Sequence, residues 1–258
     1  MRGWNGAAHT LFSIFAFVAL FAEPAHADRM ALWKIVSLEC VPQFEKGGAL
    51  IPPCEHVDIA GGEERGYVDF KDQRGVAQML TIPIRRVTGI EDPALLEPDA
   101  PNYFAGAWGA RAYVEGHLHR SLRREAVAIS VNSMVRRSQD QLHFHVDCVD
   151  NDVATTLAEY KDRLDSQWRP MSVALEGRHY WARRLDSPDL SDISPFRLLA
   201  DGVDGAKDRM GLWSLVAIGA TFSGGQPGFI LLADDAETGG GHGQDLQDKE
   251  CAIATVKY

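Results

Sequence analysis

Two histidines one residue apart lie in the run Gln141-Leu142-His143-Phe144-His145-Val146-Asp147-Cys148-Val149. The run reads as a strand, on which side chains alternate between faces. Gln141, His143, His145 and Asp147 then share one face. Leu142, Phe144, Val146 and Cys148 share the other and belong in a core. Two imidazoles and a carboxylate in register on a rigid element allow three chemistries. Zinc takes alternate histidines as two ligands, with Asp147 as a third; residues i to i+4 span about 13 Å of strand, too far to converge on one ion without bending. A solvated polar sheet face needs no chemistry. In nucleophilic catalysis an imidazole nitrogen attacks phosphorus and water later cleaves the phosphohistidine link, provided that phosphate-binding groups lie nearby.

The elements that must position this run are legible on either side of it. Residues 126–133 form the preceding strand, and the polar, basic connection 133–140 lets the two pair antiparallel, bringing Asn132 near the histidine face. Earlier, residues 66–72 and 76–84 read as a hairpin around the turn 73–75. Residues 30–40 read as a short amphipathic helix with Leu32, Ile35, Val36 and Cys40 near one face. Residues 102–119 carry a second helical stripe, Phe104, Trp108, Ala112 and Leu118, capped by Asp99 or Asn102. Residues 85–101 are a loop. After the histidines come a helix over 151–164, strands over 171–175 and 179–185, a short helix over 194–201 with Pro195 in its first turn, and a hairpin from 212–220 and 228–233 joined around 223–225. Residues 235–250, rich in Gly and Asp, read as a mobile loop that leaves His242 outside the chemistry. The order of elements in 151–258 faintly echoes that in 28–150, which raises a degenerate internal duplication within a single domain over 28–258.

Composition narrows the function. The net charge of −10 argues against non-specific nucleic-acid binding, which needs a basic surface. An anionic substrate must therefore meet local cations, and four arginine pairs are available: Arg85-Arg86, Arg123-Arg124, Arg136-Arg137 and Arg183-Arg184. Arg2, the apolar run Leu11 to Ala22 and Ala25-His26-Ala27 have the layout of a signal peptide over 1–27, with a mature chain starting at Asp28; an uncleaved membrane anchor is the alternative. Either places the folded part in an oxidising compartment, a bacterial periplasm in style. The four cysteines Cys40, Cys54, Cys148 and Cys251 suit disulfides there. Cys40 and Cys54 flank the loop VPQFEKGGALIPP and are the natural local pair, leaving Cys148 for Cys251. Their spacings fit no zinc motif of the C-x-x-C type.

Three segments resemble the histidine-triad superfamily of nucleotide hydrolases and transferases. Phe70-Lys71-Asp72 followed by Ile82-Pro83 is similar to its first hairpin. Asn132 with Ser138-Gln139 is similar to its asparagine and polar loop. His143-Phe144-His145-Val146-Asp147 is similar to His-φ-His-φ-His with Asp in the third place. Within that superfamily the chain most resembles the CDP-diacylglycerol pyrophosphatase family, through WKIVSLEC, GYVDFKD, PNYFAGAW, VNSMVRRSQDQLHFHVDC, HYWARRL, SPFRLLA and a late cysteine. The resemblance implies an α+β fold with an antiparallel sheet. It implies cleavage of CDP-diacylglycerol to CMP and phosphatidate at a membrane lipid surface, without metal or other cofactor. It makes His145 the nucleophile that carries the nucleotide and His143 its companion. Asn132, Ser138 and Gln139 would bind phosphate oxygens, Asp72 the ribose, and Arg136 or Arg137 would offset the pyrophosphate charge; Asp147 joins the substrate-binding set with its role open. Two alternatives stand beside this: a nucleotidyltransferase or dinucleotide hydrolase using the same site, and a non-catalytic periplasmic protein that binds a nucleotide or lipid.

Overall fold

A computed structural model describes residue 1 and residues 28–255; the signal-peptide or anchor segment lies outside them. Among the described residues no helix is long and apolar enough to cross a membrane. The described part from residue 28 onward opens with α1 (Ala31–Ile35), a π turn over Val36–Cys40, and α2 (Val41–Glu45). This is longer than the helix expected over 30–40. Pro42 sits in the first turn of α2, where its missing N–H is tolerated. It has no N–H to continue the ordinary ladder, and just before it the Val41 N–H reaches five residues back to the Val36 carbonyl. The segment read as a loop between Cys40 and Cys54 is therefore helical at its start.

β1 (Cys54–Asp58) was not legible: it is a half-polar, bulged edge strand. β2 (Tyr67–Lys71) and β3 (Met79–Pro83) form the expected hairpin. α3 (Tyr103–Leu118) is capped by the Asn102 side chain, which accepts from the Ala105 N–H. Its buried side is Tyr103, Phe104, Ala107, Ala110 and Val114 with Trp108. The expected stripe fails at Ala112, which is exposed, because steps of four drift off one face of a 3.6-residue helix.

β4 (Val127–Val131), β5 (Phe144–Val149), α4 (Asn151–Tyr160), β6 (Arg169–Pro170), β7 (Trp181–Leu185), α5 (Pro195–Gly202), β8 (Trp213–Phe222), β9 (Gln226–Asp235) and β10 (Gln247–Asp248) complete the fold. The strand expected over 171–175 is absent; only an isolated Leu175–Arg178 bridge stands there. All strand pairings are antiparallel, in the order β1-β2-β3-β5-β4-β8-β9-β7-β6, with β10 added on β5. The architecture is thus α+β, one large antiparallel sheet with helices on both faces.

One face packs under α3 and α5, where Phe104, Phe144 and Phe196 make edge and tilted ring contacts. The other face is divided. α1 covers β1–β3 through Leu32, Val36, Phe70, Leu80 and Ile82. α4 covers β8 and β9 through Val153, Leu157, Ile218, Ile230 and Leu232. Pairing aligns Phe70, Leu80, His145, Ser130, Val216 and Leu232 in one row across this face. The histidines occupy the gap between its two apolar covers. Disulfides join Cys40 to Cys54 and Cys148 to Cys251, the pairing the spacing favoured. The first ties the N-terminal helix to the edge strand. The second ties β5 to the C-terminal segment.

Candidate active site

The cleft in that gap has a volume of about 260 Å³, and both histidines line it. β5 is an apt mount. Leu142, Phe144 and Val146 are fully buried on its reverse side, so the strand cannot rotate or slip without exposing core. Gln141 fixes the strand's entry. Its Nε2 donates to the Pro83 and Arg85 carbonyls, both at 2.8 Å, and its Oε1 accepts from Arg86 at 2.9 Å.

The two imidazoles stand edge to face with centroids 4.8 Å apart, but their hydrogen bonds differ. His143 Nδ1 lies 2.7 Å from the Gln141 carbonyl oxygen. A carbonyl only accepts, so Nδ1 carries the proton and Nε2 the lone pair. His145 Nδ1 faces the Gln244 side-chain amide nitrogen Nε2 at 2.9 Å, and Gln244 Oε1 accepts from Asn132 Nδ2 at 3.0 Å. His145 Nε2 is buried without a hydrogen-bond partner among the described residues. Burial, the largest cause, pushes both rings below the ordinary histidine value, His145 far below, and the positive charges of Lys249 and Arg74 add to the effect on His145. Both are therefore neutral near pH 7, the state in which an imidazole nitrogen is nucleophilic.

Other expected residues divide into those that meet here and those that do not. Asp72, Asn132, Arg136, Ser138 and Gln139 all line the cleft. Asp72 also accepts the Arg74 N–H and so shapes the hairpin turn. Arg136 donates to the Gly240 and Gly239 carbonyls. Gln139 holds α1 in place, accepting from the Leu32 N–H at 3.1 Å and donating to the Asp28 carbonyl at 3.0 Å.

Arg137 and Asp147, expected among the substrate-binding residues, do not line the cleft. Arg137 is buried and clamps Glu91 with two 2.7 Å hydrogen bonds, with Asp140 as a further partner. Asp147 is on the histidine face, but β10 and the Cys148–Cys251 bridge close over its end of the strand. It accepts from Gln78 Nε2 at 3.1 Å and the Cys148 N–H at 2.8 Å, and burial pushes its carboxyl up to about 7. Asp147, Cys148 and Cys251 bring potential ligand atoms within 4.8 Å of one another, yet both sulfurs are spent on the disulfide and no thiolate remains to bind a metal.

The sequence missed one wall entirely. His242 and Gln244 line the cleft from a segment read as mobile and unrelated to the chemistry. It is ordered as short 3₁₀ turns by long-range bonds: Ser133 N–H to the Gly241 carbonyl, the Arg136 bonds above, and Gln247, whose side chain joins the Ala128 and His145 carbonyls to Ser130. Gly241 has φ +86°, and a Cβ there would come 2.6 Å from Ser133 Oγ, so the loop's course depends on glycine. Its partners are a hundred residues away in sequence, and no local pattern could have revealed them.

The remaining wall is apolar, with Leu32, Ile35, Phe70 and Leu80, while Arg74 and Arg136 bring positive charge. A roomier cleft of about 550 Å³ uses the same loop as a wall. Its arginines are committed to ion pairs, Arg178 with Asp245 and Arg209 with Asp235 and Glu237, and the paired imidazoles are not in it.

A neutral histidine pair, a free ring nitrogen and nearby cations suit attack on a phosphate ester or anhydride. A family model described as CDP-diacylglycerol pyrophosphatase matches residues 27–255. A CDP-diacylglycerol pyrophosphatase of Yersinia pestis is 38% identical over 226 residues, covering 86% of this chain and 84% of that protein. The chain belongs to the CDP-diacylglycerol pyrophosphatase family.

Proposed function

We propose that this protein hydrolyses CDP-diacylglycerol to CMP and phosphatidate through a nucleotide carried covalently on histidine. The observation that carries the reading is the His143 Nδ1–Gln141 carbonyl bond, which leaves Nε2 as the lone-pair nitrogen of a ring lining the cleft. This favours His143 as nucleophile over His145, the residue expected from the resemblance, whose Nδ1 is engaged by Gln244 and whose Nε2 is buried. His143 Nε2 attacks the cytidine-side phosphorus, the bond to the bridging oxygen breaks, and phosphatidate leaves. Water then attacks the same phosphorus, the P–N bond breaks, and CMP leaves with His143 restored. Arg74 and Arg136 offset the pyrophosphate charge. Asp72, Asn132 and Ser138 orient the nucleotide, and the Leu32–Phe70 wall takes the apolar side of the substrate. The exposed Leu38, Phe44 and Ile51 of the disulfide-closed N-terminal unit face the lipid surface. Export to the periplasm, with cleavage before Asp28, suits the two disulfides.

The fold reading goes with it: a histidine-triad unit followed by a degenerate copy. Hairpin β2–β3, helix α3 and hairpin β4–β5 are matched in order by β6–β7, α5 and β8–β9, and the two runs meet at β4 and β8 in mid-sheet.

The test is CMP release from CDP-diacylglycerol in detergent micelles with EDTA present. The expected result is turnover by the wild type and a loss on the order of 10³-fold or more in His143→Ala. Turnover surviving in His143→Ala but lost in His145→Ala reverses the two roles. Turnover surviving in both ends the histidine mechanism.

A further inference from the structure

Hydrolysis of a nucleotidyl-histidine has a second half, and the two strand histidines are poorly placed for it. In the intermediate His143 Nε2 is bonded to phosphorus. His145 is buried, its Nδ1 faces an amide, and its ring is a weak base in that setting. The water that completes the reaction still needs a proton acceptor. His242 lines the same cleft and remains about one-third exposed, with side-chain accessibility 34%, so it can meet water there. Its Nδ1 is hydrogen-bonded to Asp245 Oδ1. A carboxylate accepts, so Nδ1 holds the proton and Nε2 the lone pair. The other carboxylate oxygen, Oδ2, is paired with Arg178 at 2.6 Å, which fixes the carboxylate and with it the ring. The backbone beneath is held by Ser133 and Arg136.

From this arrangement we infer that His242 is the general base of the second step, with Asp245 and Arg178 as positioning residues. The inference rests on the covalent-histidine reading. Water oxygen attacks the phosphorus as one water proton passes to His242 Nε2. The P–N bond breaks, its electron pair returns to His143 Nε2, CMP departs, and the proton on His242 is lost to solvent.

The steps separate in a rapid-mixing experiment that follows phosphatidate and CMP independently. The general base is absent from the first step, so His242→Gln should release one phosphatidate per active enzyme at the wild-type rate. CMP should follow on the order of 10²-fold or more slowly, while a CMP–protein adduct accumulates and is visible by intact mass at alkaline pH, where a phosphoramidate survives. Asp245→Asn should give the same burst and a smaller slowing. Equal slowing of both products, or of neither, in His242→Gln overturns the assignment, and burst amplitude reports the folded fraction in the same trace. His143→Ala is the control for the underlying reading: a burst that persists in it moves the nucleotide off His143, and turnover without a burst removes the covalent intermediate, both results distinct from failure at His242.

Discussion

Arg137 shows how much the same side-chain type can differ in role from its neighbour. Arg136 lines the cleft, whereas Arg137 turns inward to Glu91. Breaking a buried pair by removing one partner costs about 3–5 kcal/mol; Glu91 keeps 28% exposure, so Arg137→Ala should cost less, about 2 kcal/mol, with kcat of the folded enzyme unchanged. Urea unfolding and kcat measured on one preparation check this; normal stability with lost activity would return Arg137 to the substrate. Asp147 makes the second prediction at this scale. Its carboxyl is raised from an ordinary value of 3.8 to about 7, so the folded state holds a proton that the unfolded state has released. Stability from this group is therefore fully present below about pH 4 and is lost as pH rises to about 7, by an amount on the order of a few kcal/mol. Asp147→Asn, neutral at every pH, should gain on the wild type across that window, and denaturant midpoints at about pH 4.5 and about pH 7.5 read the difference. A constant gap between the two proteins would mean that the carboxyl is not perturbed.

At the scale of elements, the cleft depends on three pieces that do not belong to the sheet's centre: α1, the 133–140 connection and the 236–248 segment. Arg29 makes 2.7 Å bonds to both Asp140 oxygens, and Gln139 bonds the backbone at Asp28 and Leu32. Gln139→Ala should therefore loosen the Leu32–Ile35 wall and raise KM by about 10-fold with a smaller change in kcat, as expected when binding rather than chemistry is weakened. A pure kcat effect would instead assign the amide to the phosphate, as the resemblance implied. The legible elements were those with a local signature: the β2–β3 hairpin with its turn, the Asn102 cap, and β5 with its alternation. β1 was missed because its half-polar residues are held by a disulfide and a neighbouring strand rather than by alternation. The His242 segment was missed because glycine and aspartate say only that a turn is present, and its order comes from Ser133, Arg136 and the sheet. In the site, the histidines and the Asn132 loop were readable from type and spacing. The tautomers were not, since they depend on which carbonyl or amide each ring meets.

Over the whole molecule, the row that crosses the sheet has a centre at the Ser130–Val216 pair. One step outward on β5 stands His145; one step outward on β9 stands Leu232. If the halves descend from one unit, Leu232 occupies the counterpart of the His145 position, and it is fully buried in the α4 cluster with Val153, Leu157, Ile230 and Tyr180. The second half would then have exchanged a cleft for a core, and it would contribute by bracing β4, which pairs with both β5 and β8. Large-to-small changes in such a core cost about 2–5 kcal/mol. Leu232→Ala should thus lower the unfolding free energy by that amount while leaving kcat/KM of the folded enzyme within about twofold, because surviving folded molecules keep β5 and its histidines in place. Loss of activity with stability intact would mean that the second half reaches the substrate and that the symmetry of the sheet is still used at two sites.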